Sequence, residues 1–202
     1  MGCPLQARSA SSFMTLNSAA NPPCCFPETL LQFIDTGDSN GTWWVARTRS
    51  RHEKALARQI YTHRICYYYL PLVRRPQKST RRVRMSILPL FPGYIFLYFD
   101  EKQRQKVLRT NKIVQLIQVL RPSELIHQLR QIQMVIQHEN ELELVDVLSR
   151  GKRVRVAFGP MKGLEGTVVK KRSRHQLEIA VNAIGSGIRI SIPADMLEAV
   201  PY

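Results

Sequence analysis

The chain has 202 residues, 44 % of them hydrophobic, an ordinary globular composition long enough for one medium domain or two small ones. Thirty basic side chains against fifteen acidic ones give a net charge of +15, which favours a polyanionic partner such as nucleic acid over a merely solvated basic surface. No window reaches the roughly 18 apolar residues of a membrane span, and the N-terminus lacks the charged and apolar regions of a secretion signal. Cys3, Cys24, Cys25 and Cys66 form no CxxC pair, so a cytoplasmic protein with reduced thiols and no metal site is expected.

Residues 1–41 are rich in Ser, Asn, Pro and Gly around a weakly apolar "ETLLQFI" and hold one basic residue, Arg8, which reads as a disordered extension. "TWWVART" predicts a strand buried through Val45 and one of the two tryptophans, Trp43 or Trp44. "SRHEKALARQIYTHR" predicts a helix with Ser50 as N-cap, Glu53 completing a capping box, and Leu56 and Ile60 one turn apart on its apolar stripe. "ICYYYLPLV" is a second strand ended by proline. The segment after it places Arg74, Arg75, Lys78, Arg81, Arg82 and Arg84 in an exposed loop or hairpin with no acid between them. Six like charges in eleven residues repel one another unless a polyanion or counterions neutralise them.

"LPLFPGYIFLYFD", residues 88–100, then sets aromatic residues on both faces of one short strand, although only one sheet face usually meets the core of a small domain. A short helix, "EKQRQKVLRT", a strand, "KIVQLIQVL", and an amphipathic helix with Leu125, Leu129, Ile132 and Ile136 on one face follow. The order β-α-β-β-α-β-α predicts an α+β fold over residues 42–138: a split βαβ, ferredoxin-like sheet with its helices on one face.

Residues 139–149 read as a solvated acidic linker. From 150 to 202 only short alternating strands occur, which predicts a small SH3-like antiparallel barrel whose closure protects its edges. In "GKRVRVAFGPMKGLEGTVVK", residues 151–170, Val154 and Val156 face away from Arg153 and Arg155, while Gly163 and Gly166 supply a tight turn and close backbone approach. The five histidines stand in no HExxH or CxxC context and no Gly-rich loop opens a helix. Glu139, Glu141 and Glu143 fit the linker better than a catalytic carboxylate pair, so no enzyme activity and no cofactor are expected.

The 151–170 stretch resembles the KOW motif. Preceded by "WWVART", "EKALARQI", "YYYLPLV" and "PLFPGYIFLYFD", it makes residues 43–202 resemble the NusG family of transcription elongation factors, with an N-terminal NGN domain and a C-terminal KOW domain. "PLFPGYIFLYFD" looks closer to specialised RfaH-like and polysaccharide-operon antiterminators than to the housekeeping member. The resemblance implies a monomeric factor without a chemical step. It would bind the clamp helices of the largest RNA polymerase subunit, bridge the DNA cleft toward the other large subunit and oppose pausing.

Carried over by motif position, the polymerase contacts are Trp44, Phe91, Pro92 and Tyr94, with Ile95 or Phe96 behind them, since aromatic anchors supply most of an interface's energy. Trp43 and Phe96 are expected in the core; for Phe91 and Tyr94 contact is preferred over core packing. Arg49, Arg58 and His63, with Asn111 and Lys112, match positions that touch non-template DNA in RfaH-like proteins, and the 74–84 segment adds phosphate-binding charge. The stretch matching the RfaH-like His-Thr-Thr element reads Gln105, Lys106, Val107, a departure. Met161, Leu164 and Ile184 stand where the family's KOW domain binds a small-subunit ribosomal protein or Rho, or else where the barrel end is capped. The class-different alternative is an RNA-binding ribosomal or ribosome-assembly protein built on the KOW barrel.

Overall fold

A computed structural model of the chain describes residues 21–33, 41–78, 83–138, 142–145, 151–171 and 174–200. The N-terminal half runs β1 (Cys25–Phe26), α1 (Leu30–Phe33), β2 (Thr42–Thr48), α2 (Glu53–His63), β3 (Tyr67–Tyr69), β4 (Leu72–Lys78), β5 (Val83–Pro89), β6 (Tyr94–Phe99), α3 (Glu101–Leu108), β7 (Ile113–Gln118) and α4 (Pro122–His138). Five of these strands pair in the order β1-β3-β6-β2-β7, while β4 and β5 leave the sheet as a two-stranded hairpin.

The aromatic strand β6 is central, and its two faces meet different helices. Ile95, Leu97 and Phe99 pack with Leu56, Ala57 and Ile60 of α2 and Val107 of α3. Phe96 and Tyr98 pack with Leu125, Ile126, Leu129, Ile132 and Val135 of α4. The expectation of helices on one face is therefore corrected. A sheet covered on both sides buries alternate and intervening residues alike, which is why β6 has no polar face. Its neighbours follow the same rule: Tyr68 faces the α2 side and Tyr69 the α4 side.

Part of the expected disordered extension is folded; residues 1–20 and 34–40 lie outside the described residues. β1 pairs antiparallel with β3 through Cys25↔Tyr69 and Phe26↔Tyr68. Leu70 N–H donates to Cys24 O at 2.6 Å and Tyr68 OH to Pro23 O at 2.9 Å. Leu30 and Leu31 are each 2 % exposed, and Arg130 of α4 donates from Nε to Leu31 O at 2.6 Å. Leu30 and Leu31 of the "ETLLQFI" patch thus have a hydrophobic destination beside α4 and β3.

The C-terminal half is a six-stranded antiparallel sheet of β8 (Glu143–Val145), β9 (Lys152–Val156), β10 (Glu165–Lys171), β11 (Arg174–Val181), β12 (Ser186–Ser191) and β13 (Leu197–Ala199), ordered β13-β9-β10-β11-β12-β8. Among the described residues no ladder joins β8 to β13, so the sheet is not the closed ring expected. The linker reading is also corrected at β8, where Gly187↔Val145 and Ile188↔Leu144 pair. Glu143 ion-pairs with Arg189 at 3.5 Å.

α4 lies between the two halves. The flank bearing Glu124 and Gln128 meets the 3₁₀ turn Asn182–Ile184: Asn182 Nδ2 donates to Glu124 Oε1 at 2.5 Å, and Asn182 N–H to Gln128 Oε1 at 3.0 Å. On the same flank, the Gln131 amide, in the orientation that satisfies both its ends, donates to Glu165 O at 2.8 Å and accepts from Glu165 N–H at 3.2 Å. The opposite flank meets α1 through Arg130. This two-sided burial explains why Ile126, Gln131 and Val135 are buried beside the expected stripe. No helix among the described residues is long and apolar enough to cross a membrane.

Candidate functional site

The turn that enters β6 is held from three directions. Leu90 N–H donates to Pro71 O at 2.8 Å, Thr48 N–H to Gly93 O at 2.8 Å, and Gly93 N–H to the Glu53 carboxylate at 2.5 Å. Gly93 sits at φ +85°, a left-handed backbone that side chains with a Cβ disfavour. The turn leaves Pro92 exposed and Tyr94 half-buried against the α4 side of the sheet. Arg47, exposed and directly opposite Tyr94 on β2, adds a cation that motif position did not nominate.

Two of the expected contact residues turn inward. Phe91 is 2 % exposed and packs edge-on against Phe96, with ring centroids 6.4 Å apart at 89°. Ile95 is 0 % exposed and belongs to the core under α2. Both are corrected to core residues, because the two covered faces of the sheet take them in, Phe91 against Phe96 and Ile95 under α2. Trp44 is half-buried on the α2 side, stacked on Phe99 at 5.5 Å and 8° with the Arg104 guanidinium 5.5 Å from its ring. The structure therefore places Trp44 and Tyr94 on opposite sides of the sheet. Pro92 and Tyr94 remain together; Trp43 and Phe96 are core, as expected.

The basic segment forms a hairpin, with Arg74↔Ile87 and Arg75↔Ser86 among its pairs. Arg74 is exposed, whereas Arg75 is half-buried with Nη2 unpartnered in a buried position. Lys78 and Arg84 are described in the backbone ladder only, and Arg81 and Arg82 lie outside the described residues. Lys54 of α2 reaches this hairpin by donating to Ile87 O, and also donates to Asn21 Oδ1 at 2.8 Å. Burial first, then the positive charge of Arg58, pulls its pKa below the ordinary lysine value.

Around α2, Arg49, Arg58 and His63 are exposed. Arg49 N–H donates to Lys112 O at 2.9 Å, which brings these two sites together. The Lys112 ammonium is itself engaged by Gln59 Oε1 at 2.5 Å and Thr110 O at 3.3 Å, and exposed Asn111 takes a positive φ of 56° beside it. His63 stands at the far end of the helix, four residues and about 6 Å of helical rise beyond Gln59. At that helix end lies a cluster that sequence reasoning missed: the Arg64 guanidinium lies 4.7 Å from the Phe26 ring and 5.1 Å from that of Tyr61, with Tyr67 46 % exposed beside Phe26. Phe26 could not be found from sequence because it arrives on the extension.

In the C-terminal sheet, Met161 and Ile184 are half-buried, but Leu164 is 0 % exposed and is corrected to a core residue. The turn folds it inward: Gly163 N–H donates to Val156 O at 2.8 Å and Val156 N–H to Leu164 O at 2.9 Å. The exposed ring of this loop is Phe158, 48 % accessible, which the adjacent "GP" turn signalled without its being chosen. Ile184 belongs to the 3₁₀ turn hydrogen-bonded to α4. Burial pushes the Cys25 and Cys66 thiols up to about 12, so both are protonated and non-nucleophilic at neutral pH.

Sheet, hairpin and turn together make a small doubly covered α/β domain. Residues 41–136, the stretch from β2 through most of α4, match the NusG family model, described as transcription termination factor nusG. No curated protein matches the chain.

Proposed function

We propose that the chain is a NusG-type transcription elongation and antitermination factor that binds RNA polymerase and carries no catalytic step. The family match over residues 41–136 carries this reading, together with the exposed Pro92 and half-buried Tyr94 of a rigid turn inside that match. The N-terminal domain sets this turn and Arg47 against the clamp helices. The β4–β5 hairpin, whose basic segment spans residues 74–84, extends toward the phosphates of nearby DNA. Arg49 and Arg58 offer further contacts to the displaced strand. The factor bridges the cleft, suppresses pausing and works in the cytoplasm as a monomer.

The C-terminal sheet is read as a KOW domain that recruits a ribosomal small-subunit protein or Rho through Phe158, Met161 and Ile184. The "PLFPGYIFLYFD" stretch favours an operon-specific, RfaH-like role over a housekeeping one. The test is capture of core RNA polymerase from the source organism. Wild-type protein retains it, and Tyr94→Asp loses most of it while keeping its circular dichroism spectrum. Undiminished capture by Tyr94→Asp rejects the interface, and co-sedimentation with ribosomal subunits in the absence of transcription favours a ribosome-associated RNA-binding role.

A further inference from the structure

Helix α2 opens without a side-chain cap. Its N-cap residue, His52, makes no capping hydrogen bond, and Glu53, whose spacing from Ser50 predicted a capping box, makes its hydrogen bond to Gly93 instead. The Glu53 residue is 5 % exposed, and its Oε1 accepts from Gly93 N–H at 2.5 Å, 40 residues further along the chain. Burying a carboxylate is costly unless it is compensated, and here the helix N-terminus and a backbone N–H supply the compensation. A helix start alone does not require that arrangement, since a serine or threonine N-cap serves it without a buried charge.

The recipient explains the geometry. Gly93 has its N–H fixed by α2 through Glu53 and its C=O fixed by β2 through Thr48 N–H at 2.8 Å. Apart from its own chain neighbours, no atom lies within 4 Å of where its Cβ would stand, so no side chain packs on that side and these two hydrogen bonds tie the residue to α2 and β2. On either side of it are exposed Pro92 and half-buried Tyr94. A turn fixed before binding loses less conformational freedom when it docks, and affinity rises accordingly.

We propose that Glu53 is a positioning residue that preorganises the Pro92–Gly93–Tyr94 turn for docking on the polymerase. The proposal rests on the polymerase-binding reading of that turn. Two substitutions separate reach from charge: Glu53→Gln keeps the acceptor at the same distance without the charge, whereas Glu53→Asp keeps the charge at the helix start but is one methylene too short to reach Gly93.

The experiment measures the dissociation constant for core RNA polymerase of wild type, Glu53→Gln, Glu53→Asp and Tyr94→Ala, with the amide exchange rate of Gly93 followed by NMR in the free proteins. All are compared at a temperature where circular dichroism shows each folded. Affinity follows reach: Glu53→Gln stays within about twofold of wild type, while Glu53→Asp weakens about tenfold and its Gly93 amide exchanges faster. A purely structural carboxylate gives the opposite order, with Gln the worse variant in melting temperature and Asp close to wild type in binding, and that result overturns the proposal. Wild-type affinity for Glu53→Asp while Tyr94→Ala binds weakly also overturns it, and leaves the polymerase reading standing. Wild-type affinity for Tyr94→Ala removes the polymerase reading itself, and the role of Glu53 with it.

Discussion

Glu178 on β11 is 2 % exposed and faces Arg189 of β12, whose Nε donates to Glu178 Oε1 at 2.9 Å and whose Nη2 donates to the same oxygen. The hydrogen bond to Glu178 raises the Arg189 pKa further, so the guanidinium keeps its charge. Breaking one side of a buried pair leaves the other charge less well compensated, even with Glu143 still near Arg189, and that costs more than the pair itself contributes. Glu178→Leu or Arg189→Leu alone is expected to lower stability by about 3 kcal/mol, and the double Leu variant to recover much of that loss. Urea unfolding of the three variants checks this; single variants as stable as wild type would show that the pair is solvated. The alternation that placed Val154 and Val156 inward was legible in sequence, as was the close backbone approach at Gly166, where an added Cβ would meet Glu178 O and stand 2.9 Å from Leu177 Cδ1. Which apolar residue of a turn points outward was not legible: Phe91 and Leu164 fold in while Pro92 and Phe158 stay out, because hydrogen bonds between distant segments orient the turns.

Elements β1 and α1 show how an edge is finished. β3 is three residues long and would present an open edge beside α4, and the segment 22–33 closes it with backbone pairing and two leucines. Truncating a fully buried leucine removes its transfer free energy and leaves a cavity, so Leu31→Ala is expected to destabilise the N-terminal domain by about 2–4 kcal/mol. Deletion of residues 1–33 should exceed that, since it also unpairs β3. Thermal unfolding of both checks it, and a deletion that melts with wild type would mean that the segment merely rests on the surface. Helix and strand positions within 42–138 were readable because 3.6- and 2-residue periods are local signals. The extension was not, because a patch of seven residues carries too little periodicity to reveal where its leucines pack. Helices on both sides of the sheet were likewise hidden, although the fully apolar β6 was the trace they left.

At the scale of the molecule, α4 couples the N-terminal domain to the C-terminal sheet, and the polar part of that joint is Asn182 against Glu124 and Gln128, with Gln131 against Glu165. The Asn182 hydrogen bond, assisted by Arg121 at 3.4 Å, holds the Glu124 carboxyl below its ordinary value of 4.5. A carboxyl with a lowered folded pKa contributes stability that is fully present above pH 4.5 and is lost as pH falls through the lowered value. The Glu165 carboxyl is likewise held low, chiefly by the hydrogen bond from Arg155, but Gln131 grips the Glu165 backbone, which does not titrate. Because Glu124 is largely solvated its share is modest, and the joint should loosen without global unfolding. Energy transfer between dyes on the two halves is expected to hold steady from neutral pH to about pH 5 and to fall below about pH 4. In Glu124→Gln the part of that fall due to Glu124 disappears, and Asn182→Ala lowers the transfer at every pH. A transfer signal indifferent to pH in wild type would show that the apolar contacts of α4 alone keep the two halves together.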